Sequence, residues 1–91
     1  MDKRIHLIVK GRVQGVFFRD YTRKKAASLG LIGTVRNRND GSVEVYAQGD
    51  EKLLNELESW CWQGSPMSSV SAVEKRELSE TLSYSGFQVI Y

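Results

Sequence analysis

Val9-Lys10-Gly11-Arg12-Val13-Gln14-Gly15-Val16-Phe17-Phe18-Arg19 reads as the end of a strand, a loop bracketed by glycines, and the first turn of a helix. The rest of the chain has to be built around that strand-to-helix step. Gly11 and Gly15 permit backbone conformations closed to other residues. Such a loop can turn several N–H groups toward one point, and the helix entry adds unpaired donors and the positive end of its dipole. The product is a socket for a compact oxyanion, a phosphate above all, with Arg19 placed to close it. For the glycines alone, an ordinary corner between strand and helix is an equal reading. Arg19 shifts the balance: a guanidinium beside a helix N-terminus is repelled by the dipole, so it either pairs with an acid or waits for an anion.

Working outward, Arg4 to Lys10 alternates with Ile5, Leu7 and Val9 on one side, and Ile8 on the other side implies burial on both faces. Beyond the loop, Phe18, Tyr21, Thr22, Ala26 and Leu29 recur at helical spacing up to a stop at Gly30, with Arg23, Lys24 and Lys25 in the last turns. Leu31 to Arg38 alternates again, Asn39-Asp40-Gly41 signals a hairpin, and Ser42 to Gln48 answers as its partner strand. In that partner Val43, Val45 and Ala47 point inward, and Ser42, Glu44, Tyr46 and Gln48 outward. Asp50 caps a second helix whose apolar stripe is Leu53, Leu54, Leu57, Trp60 and Cys61; Gly64 and Pro66 end it. A less regular strand follows around Val70, Ala72 and Val73, then a polar connection from Ser79 to Ser85. Phe87, Val89 and Tyr91 alternate in a closing strand.

The order is β-α-β-β-α-β with a short strand added. Two helices on one face of a mostly antiparallel sheet of four to five strands is the α+β, ferredoxin-like arrangement. The chain has 91 residues, enough for one domain (residues 1–91) with one modest core. With 41% hydrophobic and 26% charged residues, the composition is that of an ordinary globule, which speaks against disorder and membrane insertion. The start shows no export signal, and a lone cysteine excludes an internal disulfide framework, so a cytoplasmic protein is expected. Charge is unevenly spread: residues 1–38 hold ten Lys/Arg against two acids, a net +8, and residues 39–91 a net −6. The basic half could steer a small anion or a nucleic-acid backbone, or the two halves could simply attract each other.

Most catalytic chemistries lack their residues here. One histidine and one cysteine, far apart, make no metal site, and no Ser/His/Asp order exists. His6 lies in a strand, at its surface or the edge of the core; Cys61 lies on an apolar stripe and reads as a buried, inert thiol. Trp60 reads as core and Trp62 as helix edge. Asn37 shares parity with Leu31 and Val35, so its amide points inward and needs a partner. It either shapes the Asn39-Asp40-Gly41 turn or holds a water or substrate beside Arg19. Arg36 and Arg38 have opposite parity and read as solvated.

Gly11-Arg12-Val13-Gln14-Gly15-Val16-Phe17-Phe18-Arg19 resembles the phosphate-loop signature of the acylphosphatases. Gly30-Leu31-Ile32-Gly33-Thr34-Val35-Arg36-Asn37, followed by Asp40-Gly41-Ser42-Val43-Glu44, is similar to that family's second signature. Two spaced motifs in the right order, over a chain of matching size and element order, are specific. The resemblance implies hydrolysis of an acyl phosphate to carboxylate and inorganic phosphate, with no metal, no cofactor and no covalent intermediate. It implies that Arg19 binds the phosphate, that Asn37 orients the attacking water, and that amides of Val13, Gln14, Gly15, Val16, Phe17 and Phe18 complete the cradle. Phosphate or sulfate should occupy the same loop. Thr34 stands where many members carry tryptophan, and Ile90 where arginine is common.

The expected partner is a small acyl phosphate; no nucleic acid, no membrane and no second subunit are expected. RNA binding is the rival for this order of elements, but the outward side of the Ser42–Gln48 strand offers one aromatic beside an acid. A domain that binds phosphate without turnover is the other rival. The acyl group itself is left open, since the implied contacts reach only the phosphate.

Overall fold

The computed structural model describes residues 2–91. In chain order the elements are β1 (Asp2–Arg12), α1 (Phe18–Ser28), β2 (Ile32–Asn37), β3 (Val43–Asp50), α2 (Glu51–Gln63), β4 (Ser69–Glu77) and β5 (Phe87–Val89). The strands form one sheet in the order β4-β1-β3-β2-β5; only β2 and β5 run parallel. This is the expected α+β, ferredoxin-like arrangement, two helices on a mostly antiparallel sheet.

Period-two alternation builds the sheet's share of the core: Ile5, Leu7 and Val9 of β1, Val35 of β2, and Val43, Val45 and Ala47 of β3 are all buried. The helices cover them with Phe18 and Ala26 of α1 and Leu54, Leu57 and Cys61 of α2. Tyr21, expected on the apolar stripe of α1, is instead substantially exposed, and Thr22 takes the buried place by donating its hydroxyl to the Phe18 carbonyl at 2.8 Å. Ile8 is buried on the opposite face, as its type implied. So is Glu44, whose outward parity had suggested a solvated side chain. It is held there by His6 Nε2 at 2.8 Å and by Arg36 Nε at 2.6 Å, so Arg36 is an ion-pair partner rather than a free surface cation.

β1 runs two residues past Lys10, with a bulge between Lys10 and Gly11 in its pairing with β4. The closing strand is shorter than its alternation suggested. The Ile90 N–H still reaches the Val35 carbonyl at 2.9 Å, but Tyr91 lies beyond the strand. Alternation alone cannot say where pairing stops; the last pair of the ladder is Val35 with Val89, two residues before β2 ends at Asn37.

The two helix entries differ, and that difference positions the site. Asp50 adopts an extended conformation before α2 and accepts from the Lys52 N–H at 2.9 Å, the expected N-cap. α1 has no side-chain cap.

Candidate active site

Gly15 and Phe17 both adopt positive φ, 74° and 61°, just ahead of α1. Successive turns of this kind bring backbone N–H groups round to one side. For Gly15 the reason is conformational, because a side chain there would meet open space. The first bond of the helix runs from Tyr21 N–H to the Phe17 carbonyl at 3.1 Å, so Phe18, Arg19 and Asp20 N–H groups have no partner within it.

All three residues line a cavity of about 310 Å³, together with Val13, Gly15, Phe17, Asn37, Val89 and Tyr91. The two residues singled out in sequence therefore share one wall. Arg19, on the first turn of α1, has no acidic partner among the described residues; its guanidinium lies over the Tyr91 ring, 4.8 Å from the centroid. The nearest acid in sequence, Asp20, is engaged by Arg23 and Lys24, each at 3.2 Å, and those hydrogen bonds hold its carboxyl below the usual carboxylate range. The alternatives for Arg19 thus resolve against an ion pair.

Asn37 ends β2, and its Oδ1 is buried with no hydrogen-bond partner. The adjoining turn closes without it. Arg38 N–H reaches the Ser42 carbonyl at 2.8 Å, Gly41 N–H reaches the Arg38 carbonyl at 3.2 Å, and Asp40 accepts from the Ser42 N–H and hydroxyl. An orphaned buried carbonyl is costly, so this oxygen is left with a donor to find.

Of the seven residues assigned to the cradle, Val13, Gly15, Phe17, Phe18 and Arg19 line the cavity, whereas Gln14 and Val16 do not. Gln14 turns its side chain the other way and donates Nε2 to the carbonyls of Arg38 at 2.7 Å and Ser42 at 2.9 Å, lashing the loop to the hairpin. Val16 is buried, and its carbonyl accepts from Ser65 Oγ at 2.8 Å. Sequence reasoning did not place Asp20, Val89 or Tyr91 on the wall. Their only signal was adjacency to Arg19 and the inward parity of the closing strand.

Cys61 is buried on α2, and desolvation, with the Glu58 charge nearby, pushes its thiol up to about 12. It is inert at neutral pH. Among the described residues no three His, Cys, Asp or Glu side chains converge as metal ligands do. Among the described residues, no helix is long and apolar enough to cross a membrane.

By fold and cavity, this is a small α+β protein with an uncapped helix entry of the sort that receives oxyanions. The family profile described as Acylphosphatase matches residues 5–89. An acylphosphatase of Pelotomaculum thermopropionicum is 44% identical over 88 residues, covering 97% of this chain and 96% of that one. Among solved structures, an acylphosphatase from Coxiella burnetii superposes with a TM-score of 0.93 at 43% identity, covering 98% of this chain and 93% of that one. One from Bacillus subtilis gives a TM-score of 0.94 at 36% identity, with both chains fully covered. The chain belongs to the acylphosphatase family.

Proposed function

We propose that this protein is an acylphosphatase, a single domain acting as a cytoplasmic monomer, that hydrolyses the carboxyl–phosphate bond of small acyl phosphates with Arg19 and Asn37 as its catalytic residues. The observation that carries the reading is one cavity with two unmet needs: a guanidinium without an acid and a buried carboxamide oxygen without a donor.

Arg19 and the uncapped N–H groups of α1 hold the phosphoryl oxygens and take up charge as it builds in the transition state. Asn37 Oδ1 accepts a hydrogen bond from water and aims the water oxygen at phosphorus, opposite the leaving carboxylate. The bond from phosphorus to the acyl oxygen breaks as the new P–O bond forms. The leaving group's conjugate acid has a pKa of about 4, so it departs without a proton. Both water protons stay with the inorganic phosphate. No side chain has to store one, which is why a site without histidine, thiolate or paired carboxylates suffices. The face of β3 opposite the helices supports this over RNA binding: Glu44 is tied to His6 and Arg36, and His6 stacks at 4.5 Å on the single aromatic, Tyr46.

Arg19→Ala and Asn37→Ala are each expected to lower kcat/KM for benzoyl phosphate by about 10²- to 10³-fold while keeping the wild-type circular dichroism spectrum. Either variant retaining near wild-type turnover reassigns its role.

A further inference from the structure

The cavity has two chemical sides. Arg19, Asn37 and the open end of α1 are polar; Phe17, Val89 and Tyr91 bring aromatic and aliphatic surface. A volume of about 310 Å³ leaves room for a small organic group beside the phosphate.

Phe17 is the telling residue. Among the described residues it is the one non-glycine with positive φ, and its side chain is 76% exposed. Glycine or asparagine would adopt that backbone conformation more easily, and a polar side chain would be better solvated. Neither core packing nor local conformation accounts for an aromatic ring there, and strain kept in place at a cavity mouth points to use. Tyr91 is 98% exposed, yet its ring lies against Arg19 on the same wall. Trp62 and Met67, also exposed, are not on that wall.

We infer that the side chains of Phe17 and Tyr91 form the acyl-group subsite, and that they favour aryl and other bulky apolar acyl phosphates over acetyl phosphate. The inference rests on the acyl phosphate reading above. In such a substrate one bridging oxygen separates phosphorus from the acyl carbon. With the phosphoryl group on Arg19, the acyl substituent lies in the same cavity, where the Tyr91 ring flanks that guanidinium and Phe17 is a lining residue. An aryl group stacked there loses water-exposed surface and gains an offset or edge-on aromatic contact. The contact exists before and during the reaction, so it acts on KM more than on kcat.

The test is the ratio of kcat/KM for benzoyl phosphate over acetyl phosphate in wild type, Phe17→Ala and Tyr91→Ala. Wild type is expected to prefer benzoyl phosphate, and each variant to lower the ratio about fivefold to tenfold, mainly through KM for the aryl substrate. Parallel losses on both substrates would mean that the rings only shape the cradle, and an unchanged ratio that they touch nothing; either overturns the inference. Should wild type hydrolyse neither compound, the enzymatic reading fails separately. The subsite is then judged by calorimetric titration with benzoylphosphonate and acetylphosphonate. Tighter binding of the former, erased in Phe17→Ala, supports it, and equal binding sinks it.

Discussion

Gln14 shows how much a single side chain decides about this cavity. Its Nε2 lies between two backbone carbonyls, so the orientation of the amide is set by its acceptors. Those carbonyls belong to Arg38 and Ser42, next to the strand end that carries Asn37. The brace therefore ties the loop ahead of α1 to the hairpin beside the end of β2. Gln14→Leu keeps the volume and removes both donors; it is expected to lower unfolding free energy by about 1–2 kcal/mol and to reduce kcat more than it raises KM. Chemical denaturation with steady-state kinetics checks this, and an unaltered kcat would mean that the brace serves stability alone.

At the scale of elements, β2 is the strand on which most depends, because it carries Asn37 and pairs with β3 and β5 at once. Gly33 is what allows that strand to lie so close to its neighbour. Its φ is 151°, and an added Cβ would come within 1.8 Å of the Tyr46 carbonyl oxygen, a backbone atom that cannot step aside. Gly41, in the hairpin, also has positive φ but opens onto empty space. Gly33→Ala should then cost at least about 3 kcal/mol, since backbone strain and overpacking add, against about 1 kcal/mol for Gly41→Ala. Thermal unfolding of the pair measures the contrast; equal shifts in Tm would show that the strand relaxes. The helices tell the complementary story. α2 is capped and α1 is not, and the omission leaves donors free where the cavity opens.

For the whole molecule, the uneven charge is in part internal complementarity. Lys3 meets Glu51 and Glu77, Lys10 meets Glu74, and Lys25 meets Glu56, each pair joining the basic first half to the acidic second. Exposed pairs of this type contribute little individually. The Glu44 cluster is different, because the carboxylate is buried under His6 and Arg36, with Arg76 3.5 Å from the other His6 nitrogen. Burial pushes the Glu44 carboxyl up, but hydrogen bonds from Arg36 and His6 outweigh it and leave the carboxyl lowered. A carboxyl lowered on folding contributes stability that is complete above its unfolded value, about 4.3, and fades as pH falls through the folded one. Glu44→Gln is expected to be less stable than wild type by about 1–3 kcal/mol at pH 7, with the gap closing toward pH 3. Urea unfolding across that range reads it out, and a constant gap would remove the electrostatic account.

The alternation of Ile5-Leu7-Val9 and Val43-Val45-Ala47, the Asp50 cap and the Asn39-Asp40-Gly41 turn determined the order of elements and the fold class, because period, capping and turn chemistry act over a few residues. Arg19 and Asn37 stood out as candidates for the same reason, each conspicuous beside its own helix or strand end. Tertiary structure alone decided that these two share a wall, that Tyr91 leaves the sheet to meet Arg19, that Gln14 faces the hairpin, and that outward-pointing Glu44 is buried. Each of those outcomes is a contact between distant parts of the chain. Local periodicity says which face a residue takes, but only the folded packing says what lies against that face.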